Sequence, residues 1–430
     1  MLTPGITKAV ELMKTLMASK FSAYIVGGAV RDILLCREPA DIDIATTASL
    51  PQACALWPEA RVVGKPGSES VVLPLAGGVF DIVSFAGGDL SGELRRRDFT
   101  INAMAVSASG DLEDPWGGAK DLADGIIRAT ENPQDRLAED PLRALRAARL
   151  AAGLPGFSID TVTAGFCRRA ASLLKGTAPE RIGKEVMKAL LEGPSRFLAE
   201  LENLNLVEAA MPFLSDLREI RQDQRLHPEG DAYTHTLACC KIMEGLSTDP
   251  ALRAAALFHD IGKKESAREN TEGKSFRGHE DSGAEKAHEI MRRWAWPHGL
   301  VKDVTQLVRW HGLLSSETDL QAIRGLLERN GSIWMDKLFL LSKADLLAGS
   351  GNLSGWNRNR RLAVATAFRL SGAASPLDGR EVMEILGIDE GPLVGEALSA
   401  LQNEIARRGP LDAAAAKDFL RYRFRENERT

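Results

Sequence analysis

The chain has 430 residues, enough for more than one buried core and for several domains of ordinary size. At 44% hydrophobic and 26% charged residues it has a globular composition, and 54 Lys and Arg against 59 Asp and Glu leave a net charge of −5. That balance excludes a chain-wide basic surface, so any nucleic-acid contact must come from a local basic patch. The five cysteines (Cys36, Cys54, Cys167, Cys239, Cys240) include no C-x-x-C pair, which leaves buried reduced thiols rather than a disulfide framework or a zinc ribbon.

Residues 1–20 alternate apolar and lysine positions as an amphipathic helix does, and do not read as a signal peptide. No apolar run approaches the roughly 20 residues of a membrane span, so a cytoplasmic protein is expected. Between residues 22 and 110, AYIVGG, DIDIAT, RVVG, SVVLPL, VFDIVSF and INAMAVSA are candidate strands set apart by Gly, Pro and Asp clusters. From about residue 118 the spacing becomes three and four, the mark of amphipathic helices, with breaks near 348–355 and 371–378. An α+β fold follows: a small mixed-sheet head and about 300 residues of helix.

Tyr24-Ile-Val-Gly-Gly-Ala-Val-Arg-Asp32 places a strand, two glycines and a helix start in succession. Gly27 and Gly28 let a phosphate approach the backbone, and Arg31 offers it a planar donor fork. In Asp41-Ile-Asp43-Ile44, strand alternation points both carboxylates one way and both isoleucines the other. Two side-by-side carboxylates suit Mg²⁺ shared with substrate phosphates, although a solvated acidic edge would read the same if D-x-D stood alone. Asp81, inside Val79-Phe-Asp-Ile-Val83, is the candidate third carboxylate. Arg95-Arg-Arg-Asp-Phe-Thr-Ile-Asn102 follows, and Glu139-Asp-Pro-Leu-Arg-Ala-Leu-Arg-Ala-Ala-Arg149 opens a helix on which Asp140, Arg143, Arg146 and Arg149 form a slowly drifting stripe. An Asp acceptor beside an Arg fork can match the edge of a base; a surface helix with ion pairs is the other reading.

Taken in order, GGAVRD, DID, RRRDFTINA, DPWGG and EDPLRALRAAR closely resemble the bacterial class II tRNA nucleotidyltransferase and poly(A) polymerase family, over roughly residues 20–225. The resemblance implies a polymerase β-like head over 1–138 and a helical neck and RNA-binding body over 139–225. It implies catalytic metals (Mg²⁺) on Asp41 and Asp43, completed by Asp81. Gly27, Gly28, Arg31, Arg97, Asp98 and Asn102 would bind the nucleotide's triphosphate and sugar. Asp140 and Arg143 would read CTP or ATP, with Arg146 and Arg149 behind them. The partner would be the tRNA acceptor arm, with Arg168, Arg169, Arg181 and Lys184 as candidate phosphate contacts; no protein partner is implied.

The histidines crowd between residues 227 and 311. An apolar run, Ala254-Ala-Ala-Leu-Phe258, ends on adjacent His259 and Asp260, a donor pair suited to a divalent transition metal. With His235 upstream and Asp345 downstream, the pattern resembles the HD phosphohydrolase superfamily. The resemblance implies a metal such as Ni²⁺, Mn²⁺ or Co²⁺ on His235, His259, Asp260 and Asp345, in a domain over 226–370. It leaves His279 and His311 for a second metal or for substrate phosphate, and gives hydrolysis of phosphomonoesters or 2′,3′-cyclic phosphates. Residues 371–430 resemble the helical tail that closes such chains.

Between Phe85 and the arginines at 95–97 lie only nine residues, Ala86 to Leu94. Family members that complete CCA or add A resemble one another in a considerably longer loop here, and CC-adding members lack it. The expectation is therefore addition of CC with little or no terminal A. A poly(A) polymerase and a mainly HD-type phosphohydrolase are the rival readings.

Overall fold

The computed structural model describes residues 3–64, 69–75, 78–85, 88–223, 227–270, 273–370, 376–408 and 411–425. They form two compact units, Met1–Pro212 and Phe213–Thr430. Among the described residues no helix is long and apolar enough to cross a membrane.

The first unit opens with α1 (Pro4–Ala18), started by the Thr3 side chain accepting from the Ile6 N–H. Its buried Ile6, Ala9, Leu12, Met13 and Leu16 recur at helical spacing and make the expected amphipathic face. The sheet holds β1 (Ala23–Val26), β2 (Ile42–Thr46), β3 (Arg61–Val63), β4 (Ser70–Leu75), β5 (Gly78–Ser84), β6 (Ala105–Val106) and β7 (Leu112–Glu113). Their order is β3-β4-β5-β2-β1-β6-β7. Only β2 and β5 pair in parallel within it, and that register sets Asp43 opposite Asp81. Ile42 and Ile44 are buried while Asp43 is half-buried, as strand alternation requires. Around the sheet lie α2 (Gly28–Leu34), α3 (Leu50–Leu56), α4 (Leu90–Arg95) and α5 (Gly118–Asp124).

The strand expected over INAMAVSA is shorter than its apolar pattern suggests. Thr100–Asn102 is a 3₁₀ turn and only Ala105–Val106 pairs. Asp98 explains the difference: its Oδ1 accepts from the Phe99 N–H at 2.9 Å and from Asn102 Nδ2 at 3.0 Å, local bonds that compete with a ladder. The thiols also differ from expectation in part. Cys167, Cys239 and Cys240 are buried, but Cys36 is exposed just beyond α2 and Cys54 is half-buried.

Helices then take over: α6 (Pro133–Glu139), α7 (Leu142–Gly153), α8 (Thr161–Leu174), α9 (Pro179–Glu192) and α10 (Pro194–Asn203), with a small parallel pair of β8 (Ile126–Ile127) and β9 (Ser158–Ile159). The alanines of α7 are buried, which lets α9 and α10 lie close against it. Short turns α11 (Val207–Ala210) and α12 (Pro212–Ser215) follow.

In the second unit, α13 (Ala232–Leu246), α14 (Pro250–Phe258), α15 (Lys263–Ser266), α16 (His279–Arg293), α17 (His298–Trp310) and α18 (Leu320–Ala348) pack around a shared core. A hairpin of β10 (Arg268–Asn270) and β11 (Gly273–Ser275) joins α15 to α16. Gly331 (φ 79°) breaks α18 into two helical segments. The expected break falls between α18 and α19 (Ser354–Leu370), and residues 371–375 of the second expected loop lie outside the described residues. The tail helices α20 (Gly379–Leu386), α21 (Pro392–Arg408) and α22 (Ala413–Arg425) have an apolar core of their own, including Leu377, Val382, Leu401 and Leu420.

Two candidate catalytic centres

In the first unit, β1 and the turn after it bring the glycines against the carboxylate strand, since Val26 is the register partner of Asp43. Gly27 has φ 79°, and a Cβ there would collide with Arg97 Nη1 and lie 3.2 Å from Asp43 Oδ2. Both the backbone conformation and the close approach therefore call for glycine. Arg97 Nη1 in turn sits 3.2 Å from Asp43 Oδ2.

One cavity of about 440 Å³ gathers most of the residues singled out in the sequence. Gly28, Arg31, Asp41, Asp43, Arg97, Asp98 and Asn102 line it from the head. Asp140, Arg143, Arg146 and Arg149 line it from the helices, so the stripe on α7 does face one space. Gly27 and Asp81 are not among its lining residues, though Gly27 adjoins Asp43 and Asp81 pairs with it in register. Asp81 is raised above the usual carboxylate range by burial and by the charges of Asp43 and Asp41. A carboxyl held up by the charges of two neighbouring carboxylates fits a place for a divalent cation.

The side chains do not all offer free donors. Arg31 is tied to Asp32 and, through Nη1, to Asn102 Oδ1 at 2.9 Å. Arg95 and Arg96 pair with Glu131 and Glu93, so of the three consecutive arginines it is Arg97 that reaches Asp43. Burial works to raise Asp98, but the Arg146 guanidinium at 3.1 Å and the Asn102 and Phe99 hydrogen bonds outweigh it and hold the carboxyl below its usual range. Arg149 is committed to Glu185 at 2.7 Å and Glu192 at 3.0 Å, with only 12% of its side chain exposed. It is a wall of the cavity rather than an open hand.

Asp140 and Arg143 are both braced. Asp140 Oδ1 accepts from the Leu142 N–H at 3.3 Å, and Oδ2 accepts from Arg181 Nη2 at 2.8 Å. Arg143 donates Nη1 to the Arg136 carbonyl and Nη2 to the Arg96 carbonyl, each at 3.0 Å. Arg181, a candidate phosphate contact in the sequence, thus holds Asp140. Glu185 and Glu192 escaped the sequence reading because each meets Arg149 through the fold, with no local motif to mark it, whereas Glu93 pairs locally with Arg96 three residues on.

In the second unit five helices deliver their chemistry to one point. His235 lies on α13, His259 and Asp260 end α14, His279 starts α16, His311 ends α17 and Asp345 lies on α18. His235, His259, Asp260 and His311 are at most 2% exposed. His259, His279 and His311 each face a backbone carbonyl three residues upstream through Nδ1, at 3.0, 2.9 and 2.7 Å. Nδ1 therefore carries the proton, and the Nε2 lone pairs face inward. His279 Nε2 and His311 Nε2 stand 3.2 Å apart. His259 Nε2 is buried with no hydrogen-bond partner among the described residues, 3.3 Å from Asp260 Oδ2 and 3.9 Å from Asp345 Oδ1. Lone pairs aimed at one another are stable only around a cation.

The inward donors fall into two sets, His235–His259–Asp345 and Asp260–His279–His311, and His235 also belongs to a third set with His227 and Glu229. Asp260 joins the first two: Oδ2 faces His259 and Lys263, and Oδ1 faces His279 at 3.4 Å and His311 at 3.8 Å. Burial works to discharge His235, yet hydrogen bonds to Asp345 and Glu229 and the charge of Asp260 lift its imidazole up to about 9. Burial, with His279 and His259 beside it, pushes His311 down to about 3. Asp345 is held well below the carboxylate range, because the His235 hydrogen bond and the surrounding imidazoles overcome its burial. Glu229 and Lys263 were missed in the sequence. The signal for Lys263 was its place three residues after Asp260 on a helical turn.

Comparison with known proteins follows the same division. The poly A polymerase head domain matches residues 23–71 and 79–128, the probable RNA and SrmB-binding site of polymerase A matches 156–217, and the HD domain matches 232–344. The A-adding tRNA nucleotidyltransferase of Deinococcus radiodurans is 36% identical over 414 residues, covering 88% of this chain and 90% of that protein. The multifunctional CCA protein of Methylococcus capsulatus is 31% identical over 422 residues, 90% of this chain and 94% of that one. The CC-adding enzyme of Halalkalibacterium halodurans is 39% identical over 186 residues, 43% of this chain and 49% of that one. Among solved structures, the Bacillus stearothermophilus CCA-adding enzyme in complex with CTP has the same fold across all of both chains, with a TM-score of 0.63 at 24% identity. The chain belongs to the bacterial tRNA nucleotidyltransferase and poly(A) polymerase family, in the form that carries an HD domain behind the head and RNA-binding segment.

Proposed function

We propose that this protein adds CMP residues to the 3′ end of tRNA without a nucleic-acid template, and that its HD domain hydrolyses phosphomonoesters or 2′,3′-cyclic phosphates. The observation that carries the first activity is that Asp41 and Asp43 share one cavity with Asp140 and Arg143. Cytosine presents an amine donor beside acceptors, so Asp140 accepts from the amine and Arg143 donates to its neighbours. Uracil sets an acceptor against Asp140 and is repelled. Arg31 and Arg97 face the triphosphate, with Gly28 leaving room for it. Asp41, Asp43 and Asp81 would hold Mg²⁺, which when bound supplies the positive charge for hydroxyl attack and pyrophosphate departure. The helices after the head would carry the acceptor arm, in a division of 1–138 head, 139–225 neck and body, 226–370 HD domain and 371–430 tail.

Restriction to CC is supported by the connection from β5 to α4. It is short, ends on the Asp89 cap of α4, and leads directly to the Arg96 carbonyl that holds Arg143. Ala86 and Gly87 lie outside the described residues. The reading as an A-adding enzyme draws its support from the A-adding relative that matches along 88% of the chain. Incubation with tRNA ending at the discriminator base, or at CC, together with CTP and ATP and followed by sequencing, separates them. Products ending in CC from the first and no extension of the second are expected; terminal A on both at comparable rates would overturn the restriction.

In the HD centre His235, His259 and Asp345 on one side and His279 and His311 on the other would hold divalent transition ions such as Ni²⁺, Mn²⁺ or Co²⁺, with Asp260 available to both. Such an ion, when bound, activates water and neutralises a phosphate. Lys263, 2.6 Å from Asp260, fixes the shared carboxylate.

A further inference from the structure

The imidazoles of the HD centre are not tethered alike. His259 and His311 each lean on a neutral backbone carbonyl, and His279 leans on one at 2.9 Å with the Glu280 carboxylate farther off at 3.3 Å, whereas His235 Nδ1 meets the Glu229 carboxylate, Oε1, directly at 2.5 Å. Glu229 comes from a turn that is itself pinned. Gly230 has φ 101°, its carbonyl accepts from the Gln222 N–H at 3.0 Å, and the Ala232 N–H donates to the Ile220 carbonyl at 2.9 Å. The Glu229 side chain is 11% exposed, and its Oε1 also meets His227 Nδ1 at 3.0 Å. Its Oε2 is buried, with no hydrogen-bond partner among the described residues.

An anionic partner on the far nitrogen of a ligating imidazole fixes the ring's orientation and makes the near nitrogen a stronger donor than a carbonyl does. We infer that Glu229 is a positioning residue that makes the two halves of this centre unequal: it gives the His235–His259–Asp345 set the tighter hold on a divalent cation, ahead of the Asp260–His279–His311 set. Asp260 serves both halves and the first also holds the Asp345 carboxylate, so Glu229 adds to a difference in the same direction. This inference rests on the reading of the centre as a metal site.

The test is titration of the full-length, metal-free protein with Mn²⁺ by calorimetry, and with Co²⁺ by absorption, for the wild type and for Glu229→Gln. Glutamine keeps a neutral oxygen in place of the charge and so imitates the three carbonyl tethers. The wild type should bind in two steps. In Glu229→Gln the tighter step should weaken about 10–100-fold, the scale of losing such a partner, and the weaker step should stay where it was. A melting curve checks that the variant is folded, and Glu229→Asp, which restores the charge, should recover part of the loss. A tight step unchanged in a folded Glu229→Gln overturns the inference and leaves the metal reading intact. A wild type that binds neither ion, or a His259→Ala variant that binds both as before, overturns the metal reading and the inference together.

Discussion

The two centres solve opposite electrostatic problems. In the head, carboxylates and guanidiniums meet as pairs: Arg97 with Asp43, Arg146 with Asp98, Arg181 with Asp140 and Arg149 with Glu185. The cavity is therefore settled without a ligand and still bordered by arginines that suit a polyanion. In the HD centre, four imidazoles and two carboxylates converge with Lys263 as their cation, and buried nitrogens face one another across 3.2 Å. A cleft that binds phosphates can rest in ion pairs, but a cluster built from inward lone pairs calls for an ion.

Metal removal should break the comparison most sharply. Stripping the tightly held ions from the HD centre should reduce hydrolysis to background, with recovery on adding Mn²⁺, Co²⁺ or Ni²⁺, measured on 2′,3′-cyclic nucleotides. Nucleotide addition should instead follow Mg²⁺. Asp41→Ala should cost addition at least about two orders of magnitude, the scale of losing a key electrostatic group, as read by primer-extension rates on trimmed tRNA. Its fold should survive, since Asp41 is exposed.

A smaller change sharpens the account of base reading. Arg143→Lys keeps the charge but loses the fork that spans the Arg136 and Arg96 carbonyls. It should lower kcat/KM for CTP by roughly tenfold and narrow the preference for CTP over UTP, because a lysine is a point donor. The smallest effect is on stability. Asp98 is held below its ordinary value of 3.8, so its contribution is full above that value and drains as pH falls through its lower folded value. Asp98→Asn should flatten the loss of melting temperature as pH falls below about 4, while lowering the melting temperature at neutral pH.

What could be read from the sequence was whatever local spacing determines. The D-x-D alternation on β2, the His259–Asp260 pair and the arginine stripe on α7 are each set by strand or helix period; the fold brings the first and third to one cavity and the second to a cluster of histidines and carboxylates. What could not be read depends on partners brought from afar. Glu185 and Glu192 capture Arg149 from 36 and 43 residues away, and Arg181 reaches Asp140 across 41. Glu229 stands only six residues from His235, but its contact needs the reversal at Gly230, which periodicity does not announce. Ile101 and Asn102 fall within an expected strand and still turn, with the Asp98 side chain holding the Phe99 N–H before the turn and the Asn102 side-chain amide at its end.

The central claim is that one chain carries two separate chemistries, each built by its own residues. The most direct measurement assays Asp43→Ala and His259→Ala side by side for CMP addition to trimmed tRNA and for hydrolysis of a 2′,3′-cyclic phosphate. The account predicts that Asp43→Ala loses addition and keeps hydrolysis, and that His259→Ala does the reverse. Normal addition by Asp43→Ala, or loss of both reactions in either folded variant, would contradict it.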